Sequence, residues 1–105
     1  IDLIIKNGTY GETYNIGNNN EVTNVELVEK ICKMINNEGI GIKNAESLIT
    51  FVKDRPGHDK RYSINSNKIK FELDYKSSKS FNESLKETVR WYIDNSNWWK
   101  KLIKD

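Results

Sequence analysis

Three observations in the 105-residue sequence predict an α/β fold of short strands with helices packed on them. Two helical stripes each open on a capping-box pattern, Thr23 with Glu26 and Ser80 with Glu83. An uncharged run rich in β-formers, Leu48-Ile49-Thr50-Phe51-Val52, leads into a Pro56-Gly57 turn. Thr13, Tyr14 and Ile16 favour a strand, and Gly11 and Gly17 bound it.

Taken in order, residues 1–6 read as the end of a helix closed by Asn7-Gly8. The strand over 11–17 follows, and Asn18-Asn19-Asn20 is a loop. Thr23 is the N-cap of a helix whose apolar residues Leu27, Val28, Ile31, Met34 and Ile35 fall on one face. That helix ends near 36–39, and the chain to Ser47 is loop. The strand over 48–52 runs into the turn, and residues 61–64 form a short extended segment. Asn65 or Ser66 caps a short helix through Leu73. Behind Ser80, the stripe Leu85, Val89, Tyr92, Ile93 predicts a helix to about Asn95. Trp98, Trp99, Leu102 and Ile103 continue the apolar pattern.

Composition narrows the function. Hydrophobic residues make up 36% of the chain, enough for a modest core, so missing partner surface would hurt it. The net charge of +2 lacks the basic excess of a nucleic-acid binder. One cysteine, Cys32, excludes an internal disulfide, and it sits in the helical pattern as a buried thiol. One histidine, His58, excludes a multi-histidine metal site. No stretch is long and apolar enough to span a membrane. The opening residues carry no Met and no signal-peptide layout, so the chain is expected to be a piece of a cytoplasmic protein.

The richest chemistry lies in Asp54-Arg55-Pro56-Gly57-His58-Asp59-Lys60-Arg61-Tyr62. Ligands of α/β proteins tend to bind beyond the carboxyl ends of strands. Arg55 can hold a phosphate through two parallel hydrogen bonds. His58 adds an imidazole beside it. Pro56-Gly57 would aim Arg55 and let the backbone approach a ligand closely. The alternative is a solvated turn with incidental charges, in which Arg61 simply pairs with Asp54 or Asp59; from spacing alone the two readings stand even. Asn24, in the first turn of the Thr23-capped helix, is a second anion-binding candidate, although a plain capping role is the simpler reading there. No Tyr-x-x-x-Lys pair and no phosphate-cradling glycine motif is present, since Gly39-Ile40-Gly41 lacks the pattern that should follow. The sequence therefore offers no catalytic residue of its own. Trp91, Trp98 and Trp99 invite a stacking reading, but two of them are expected to be core or interface residues exposed by truncation.

Gly11-Glu12-Thr13-Tyr14-Asn15-Ile16-Gly17, then Asn20-Glu21 and Asn24, then Asp54 to Tyr62, then Trp91-Tyr92 resemble the C-terminal part of bacterial dTDP-glucose 4,6-dehydratases. The resemblance runs over nearly the whole chain in the right order. The first motif is shared with many extended short-chain dehydrogenase/reductases, whereas the second long one is far more specific. One departure is Asn18, where the family usually has a second glycine.

The resemblance implies that residues 1–105 form the small nucleotide-sugar-binding domain of a Rossmann-type extended short-chain dehydrogenase/reductase. Its NAD-binding Rossmann domain, Tyr-x-x-x-Lys and acid–base carboxylates would lie upstream of Ile1. In such enzymes NAD takes hydride from sugar C4, water leaves across C5 and C6, and hydride returns to C6. The product, a 4-keto-6-deoxy sugar nucleotide, feeds deoxysugar (rhamnose) synthesis. Family members are homodimers. The positions matching Asn24, Asp54, Arg55, Pro56, Gly57 and His58 line the dTDP-sugar diphosphate site, with Arg55 on phosphate. Two other readings are the same domain of a related nucleotide-sugar epimerase or decarboxylase, and a non-catalytic sugar-nucleotide-binding module.

Overall fold

The computed structural model describes residues 1–18 and 20–103, so Asn19 of the expected Asn18–Asn20 loop lies outside the described residues. Among the described residues there are five α-helices: α1 (Asp2–Asn7), α2 (Asn24–Asn37), α3 (Asn67–Leu73), α4 (Phe81–Asp94) and α5 (Ser96–Trp99). A 3₁₀ turn spans Ala45–Leu48. The chain divides into two compact units, one of Ile1–Glu21 with Asp54–Ser78, the other of Val22–Lys53 with the chain from Lys79 on.

In the first unit α1 packs on α3. The core is small: Ile69 is 2% exposed, Ser66 is 0% exposed, and Leu73 is buried beside them. Ser66 precedes α3, yet its hydroxyl does not cap the helix. It donates instead to the Gly17 carbonyl at 2.8 Å. Asn65 takes over the capping task, its Oδ1 accepting from the Asn67 N–H at 2.9 Å. Gly17 is needed for close approach, because a Cβ there would stand 2.4 Å from Ile64 Cγ2. Lys68 on α3 pairs with Glu12 and lies 5.1 Å from the centre of the Tyr14 ring. The Tyr14 hydroxyl in turn accepts from the Thr9 N–H at 3.1 Å. A buried hydroxyl and a chain of side-chain bonds therefore join the 9–17 segment to α3.

In the second unit both capping boxes form. Thr23 Oγ1 accepts from the Glu26 N–H, and Glu26 reaches back to the Thr23 N–H at 2.8 Å. Ser80 and Glu83 repeat the arrangement at the start of α4. Each box satisfies donors that a helix N-terminus otherwise leaves open. α2 packs on α4 and on the 3₁₀ turn, burying Cys32, Val89 and Ala45. The expected α2 face is shifted: Val28 is exposed, and Cys32 is the buried residue with Leu27, Ile31, Met34 and Ile35 half-buried around it. Asn36 latches the 3₁₀ turn, accepting from the Ala45 N–H at 2.9 Å and donating to Glu46 at 2.7 Å. Arg90 of α4 pairs with Glu38 just past α2. Trp91 meets Tyr92 and Trp98 edge-on at 5.2 and 5.3 Å, and Trp99 donates to the Tyr92 carbonyl. Trp91 and Trp98 stay exposed, while Trp99 is half-buried.

The strand expectations differ from what is observed. No strand ladder forms among the described residues, and the stretches 11–17, 49–52 and 61–64 have no regular structure. Leu48 closes the 3₁₀ turn rather than opening a strand. The cause is the missing partner: a strand exists only through hydrogen bonds to a neighbour, whereas a helix satisfies its backbone internally. Leu48, Phe51 and Val52 are 73%, 81% and 83% exposed, and only Ile49 of that run's apolar residues is half-buried.

Two outcomes follow for stability. Ile69→Ala removes the least exposed apolar side chain and should cost about 2–5 kcal/mol in urea denaturation. The Thr23 N–H first, with its hydroxyl second, holds the Glu26 carboxyl below the ordinary glutamate range; the Ser80 hydroxyl first, with its N–H second, does the same for Glu83. Both folded values are depressed, so this stabilisation is complete above the ordinary glutamate pKa of about 4.3 and is lost as pH falls through the folded values. Thermal midpoints measured from pH 6 downward should drop below about pH 4, and less steeply in Glu26→Gln.

Candidate functional site

The turn that follows the apolar run is organised by its own first residue. Asp54 Oδ1 accepts from the Arg55 N–H at 2.8 Å and lies 2.6 Å from His58 Nδ1. The His58 contact, ahead of the Arg55 N–H, holds the Asp54 carboxyl below the usual carboxylate range. Between them the chain reverses at Pro56-Gly57, with Gly57 at φ +70°. Proline followed by a residue of positive φ is the pattern of a type II turn, and glycine takes the second position without strain.

This geometry separates roles that the sequence had grouped. Asp54 acts within the turn, its Oδ1 serving both the Arg55 N–H and His58. With Nδ1 facing Asp54, Nε2 is the His58 nitrogen left for a ligand. His58 is the half-buried member of an otherwise exposed turn, and its ring lies 6.3 Å from that of Tyr62. Arg55 is exposed, and one Nη stands 3.5 Å from the Tyr62 hydroxyl. Five of the six expected residues, Asp54 to His58, thus share one turn, and Tyr62 joins them.

Arg61 pairs with neither Asp54 nor Asp59. Its Nε and Nη2 donate to Glu21 at 2.8 and 2.7 Å, and Ser63 Oγ donates to the same carboxylate at 2.7 Å. Glu21 lies forty residues earlier, so no local spacing could disclose the partnership.

Asn24, the sixth expected residue, belongs to the other unit and stands there as the first residue of α2. Thr23 takes the Glu26 N–H on its hydroxyl and the Leu27 N–H on its carbonyl. Among the described residues, the N–H groups of Asn24 and Val25 are the ones left for an incoming acceptor, the usual condition of a helix start. The Glu26 carboxylate already lies at that end and opposes an anion there. No cluster of three or more His, Cys, Asp or Glu side chains with metal-holding geometry occurs among the described residues.

The contact between Asp54 and His58 can be tested in isolation. Asp54→Asn keeps the shape of the side chain and removes its charge, so the proton shared with His58 loses its acceptor bias. Two-bond nitrogen–proton spectra, with the His58 signal assigned by its loss in His58→Gln, should show a Nδ1-protonated ring in the parent and a shift toward the Nε2-protonated form in Asp54→Asn. Identical spectra would remove that role of Asp54.

Proteins similar to this chain are known. A family model described as GDP-mannose 4,6 dehydratase matches residues 2–88. A probable dTDP-glucose 4,6-dehydratase of Sinorhizobium fredii is 42% identical over 100 residues, covering 95% of this chain and 29% of its own length. The dTDP-glucose 4,6-dehydratase of Haemophilus influenzae is 46% identical over 99 residues, covering 90% of this chain and 29% of its own. The crystal structure of the Bacillus anthracis dTDP-glucose 4,6-dehydratase in complex with NAD superposes with a TM-score of 0.82 at 43% identity, over 97% of this chain and 30% of that one. The chain thus spans about three-tenths of the length of these relatives. With the family model covering residues 2–88 and the turn at Asp54–Tyr62 inside that span, the chain belongs to the GDP-mannose 4,6 dehydratase family and is similar within it to dTDP-glucose 4,6-dehydratases.

Proposed function

We propose that this chain is the C-terminal, substrate-binding part of a dTDP-glucose 4,6-dehydratase, a lyase that converts dTDP-glucose to dTDP-4-keto-6-deoxy-glucose and water. The turn Asp54–His58 carries the reading. It presents an exposed guanidinium and an imidazole oriented through Nδ1 on a rigid Pro-Gly reversal. That is a suitable grip for a diphosphate, because charge-assisted bonds from a planar guanidinium match phosphate oxygens in pairs. Arg55 holds phosphate, His58 turns its Nε2 edge to the ligand, and Asp54, Pro56 and Gly57 hold the two in place. Asn24, with its amide at the start of α2, is a separate candidate contact of the nucleotide-sugar.

The chain's own task is binding and orientation. NAD supplies hydride transfer in this reaction, and the residues here do not form a cradle for it. A dinucleotide fold needs glycines between a strand and the N-terminus of a helix. Gly39-Ile40-Gly41 instead follows the end of α2 and leads toward the 3₁₀ turn at Ala45. NAD is therefore assigned to an upstream Rossmann domain of the same protein, acting in the cytoplasm as a homodimer. The Bacillus anthracis relative, solved with NAD and about three times longer than this chain, supports that assignment.

Turnover by the complete protein tests the reading. It should consume dTDP-glucose in preference to GDP-mannose, and the reverse preference would overturn the assignment. Arg55→Ala should raise KM by about tenfold or more, since a lost charged hydrogen bond acts on binding, while kcat changes less. Residues 1–105 alone should show no turnover, and measurable dehydratase activity from them would contradict the division of labour.

A further inference from the structure

Among the described residues between Thr50 and Asn65, no backbone N–H donates to a backbone carbonyl. The candidate turn lies inside this stretch, so its position relative to its own unit is set by side chains. Asp54 ties the turn to itself. What ties the turn's exit to another segment is one carboxylate. Glu21 receives Arg61 through both Nε and Nη2, and Ser63 Oγ donates to the same group. Arg61 and Ser63 are two residues apart, so on an extended chain they project from one face. A planar fork on a carboxylate with a third donor fixes direction as well as distance.

We propose that Glu21 is a positioning residue for the diphosphate-binding turn, acting through Arg61 and Ser63, an inference that rests on the dehydratase reading. The hydrogen bonds of Glu21 among the described residues go to Arg61 and Ser63, outside the turn itself. Its effect is to hold the 61–63 segment, and through it the turn, against the segment that follows Gly17. The pair is largely solvent-exposed, with Arg61 and Glu21 side chains 70% and 47% accessible, so its share of global stability is small. Its share of ligand geometry is larger, because a small displacement of a binding group is felt steeply in affinity.

Simple electrostatics and positioning predict opposite signs. Removing a negative charge near an anion site should tighten binding if charge alone matters. Releasing the clamp should weaken it. In the complete protein, Glu21→Gln is expected to raise the KM for dTDP-glucose about tenfold with kcat within about twofold and the thermal midpoint nearly unchanged. Arg61→Lys, which keeps the charge and loses the fork, should move KM the same way. The exchanged pair Glu21→Arg with Arg61→Glu should recover part of the loss. A KM that falls or stays level in Glu21→Gln overturns the inference, as does a fall in thermal midpoint with KM unchanged. Parent protein that fails to turn over dTDP-glucose removes the functional reading itself, and this inference with it.

Discussion

Side-chain hydrogen bonds do in the first unit what backbone ladders do in a sheet protein. Ser66 reaches across to the Gly17 carbonyl from a site with no solvent access. A buried hydroxyl left unpaired costs about 1–3 kcal/mol, so this bond discriminates sharply between the right register and a slipped one. Ile64 packs against Gly17 closely enough to exclude any Cβ there, which sets the same register by shape. The candidate turn begins twelve residues before Ser66, in the same unit.

The second unit is built the other way. Its two long helices each carry a complete capping box, and their faces meet over Cys32 and Val89. Here local sequence does most of the organising, and the inter-helix links are few: Arg90 with Glu38, Lys30 with Asn82, and the Asn36 latch on the 3₁₀ turn. One unit leans on long-range polar bonds and the other on helix-internal ones. The candidate binding groups divide in the same way. Asn24 owes its setting to a helix cap, Arg55 and His58 to a side-chain scaffold.

This division explains what could be read from the residues. α2 and α4 were legible because Thr23–Glu26 and Ser80–Glu83 lie within one turn of sequence and the apolar spacing follows directly. Cys32 as a buried thiol was legible for the same reason. The strand expectations at 11–17 and 48–52 rested on β-preference, which describes side chains suited to a sheet without supplying the neighbour a sheet requires. Residues 54–58 stood out as a polar cluster, but the split of roles within it did not. Asp54 turns out to serve His58, and four residues of spacing with no helical frame gave no sign of it. Glu21 was visible only as part of a family motif, because its partners lie forty and forty-two residues away. Of the two cap candidates Asn65 takes the role, and the choice was not legible: a hydroxyl at a helix start also suggests capping, and only the burial beside Gly17 shows why Ser66 points elsewhere.

The mostly exposed run Leu48-Ile49-Thr50-Phe51-Val52 has a consequence for the chain as a material. Five uncharged residues in sequence, rich in β-branched and large apolar side chains and free of proline, have the composition from which cross-β stacks nucleate. With its outer members open to water, the run is a template for copies of itself. Lys53, Asp54 and Arg55 follow at once and act as gatekeepers, since stacking would place like charges in register. Two of these residues, Asp54 and Arg55, belong to the candidate turn as well. Concentrated preparations of residues 1–105 will be most soluble at low ionic strength, where that repulsion reaches furthest.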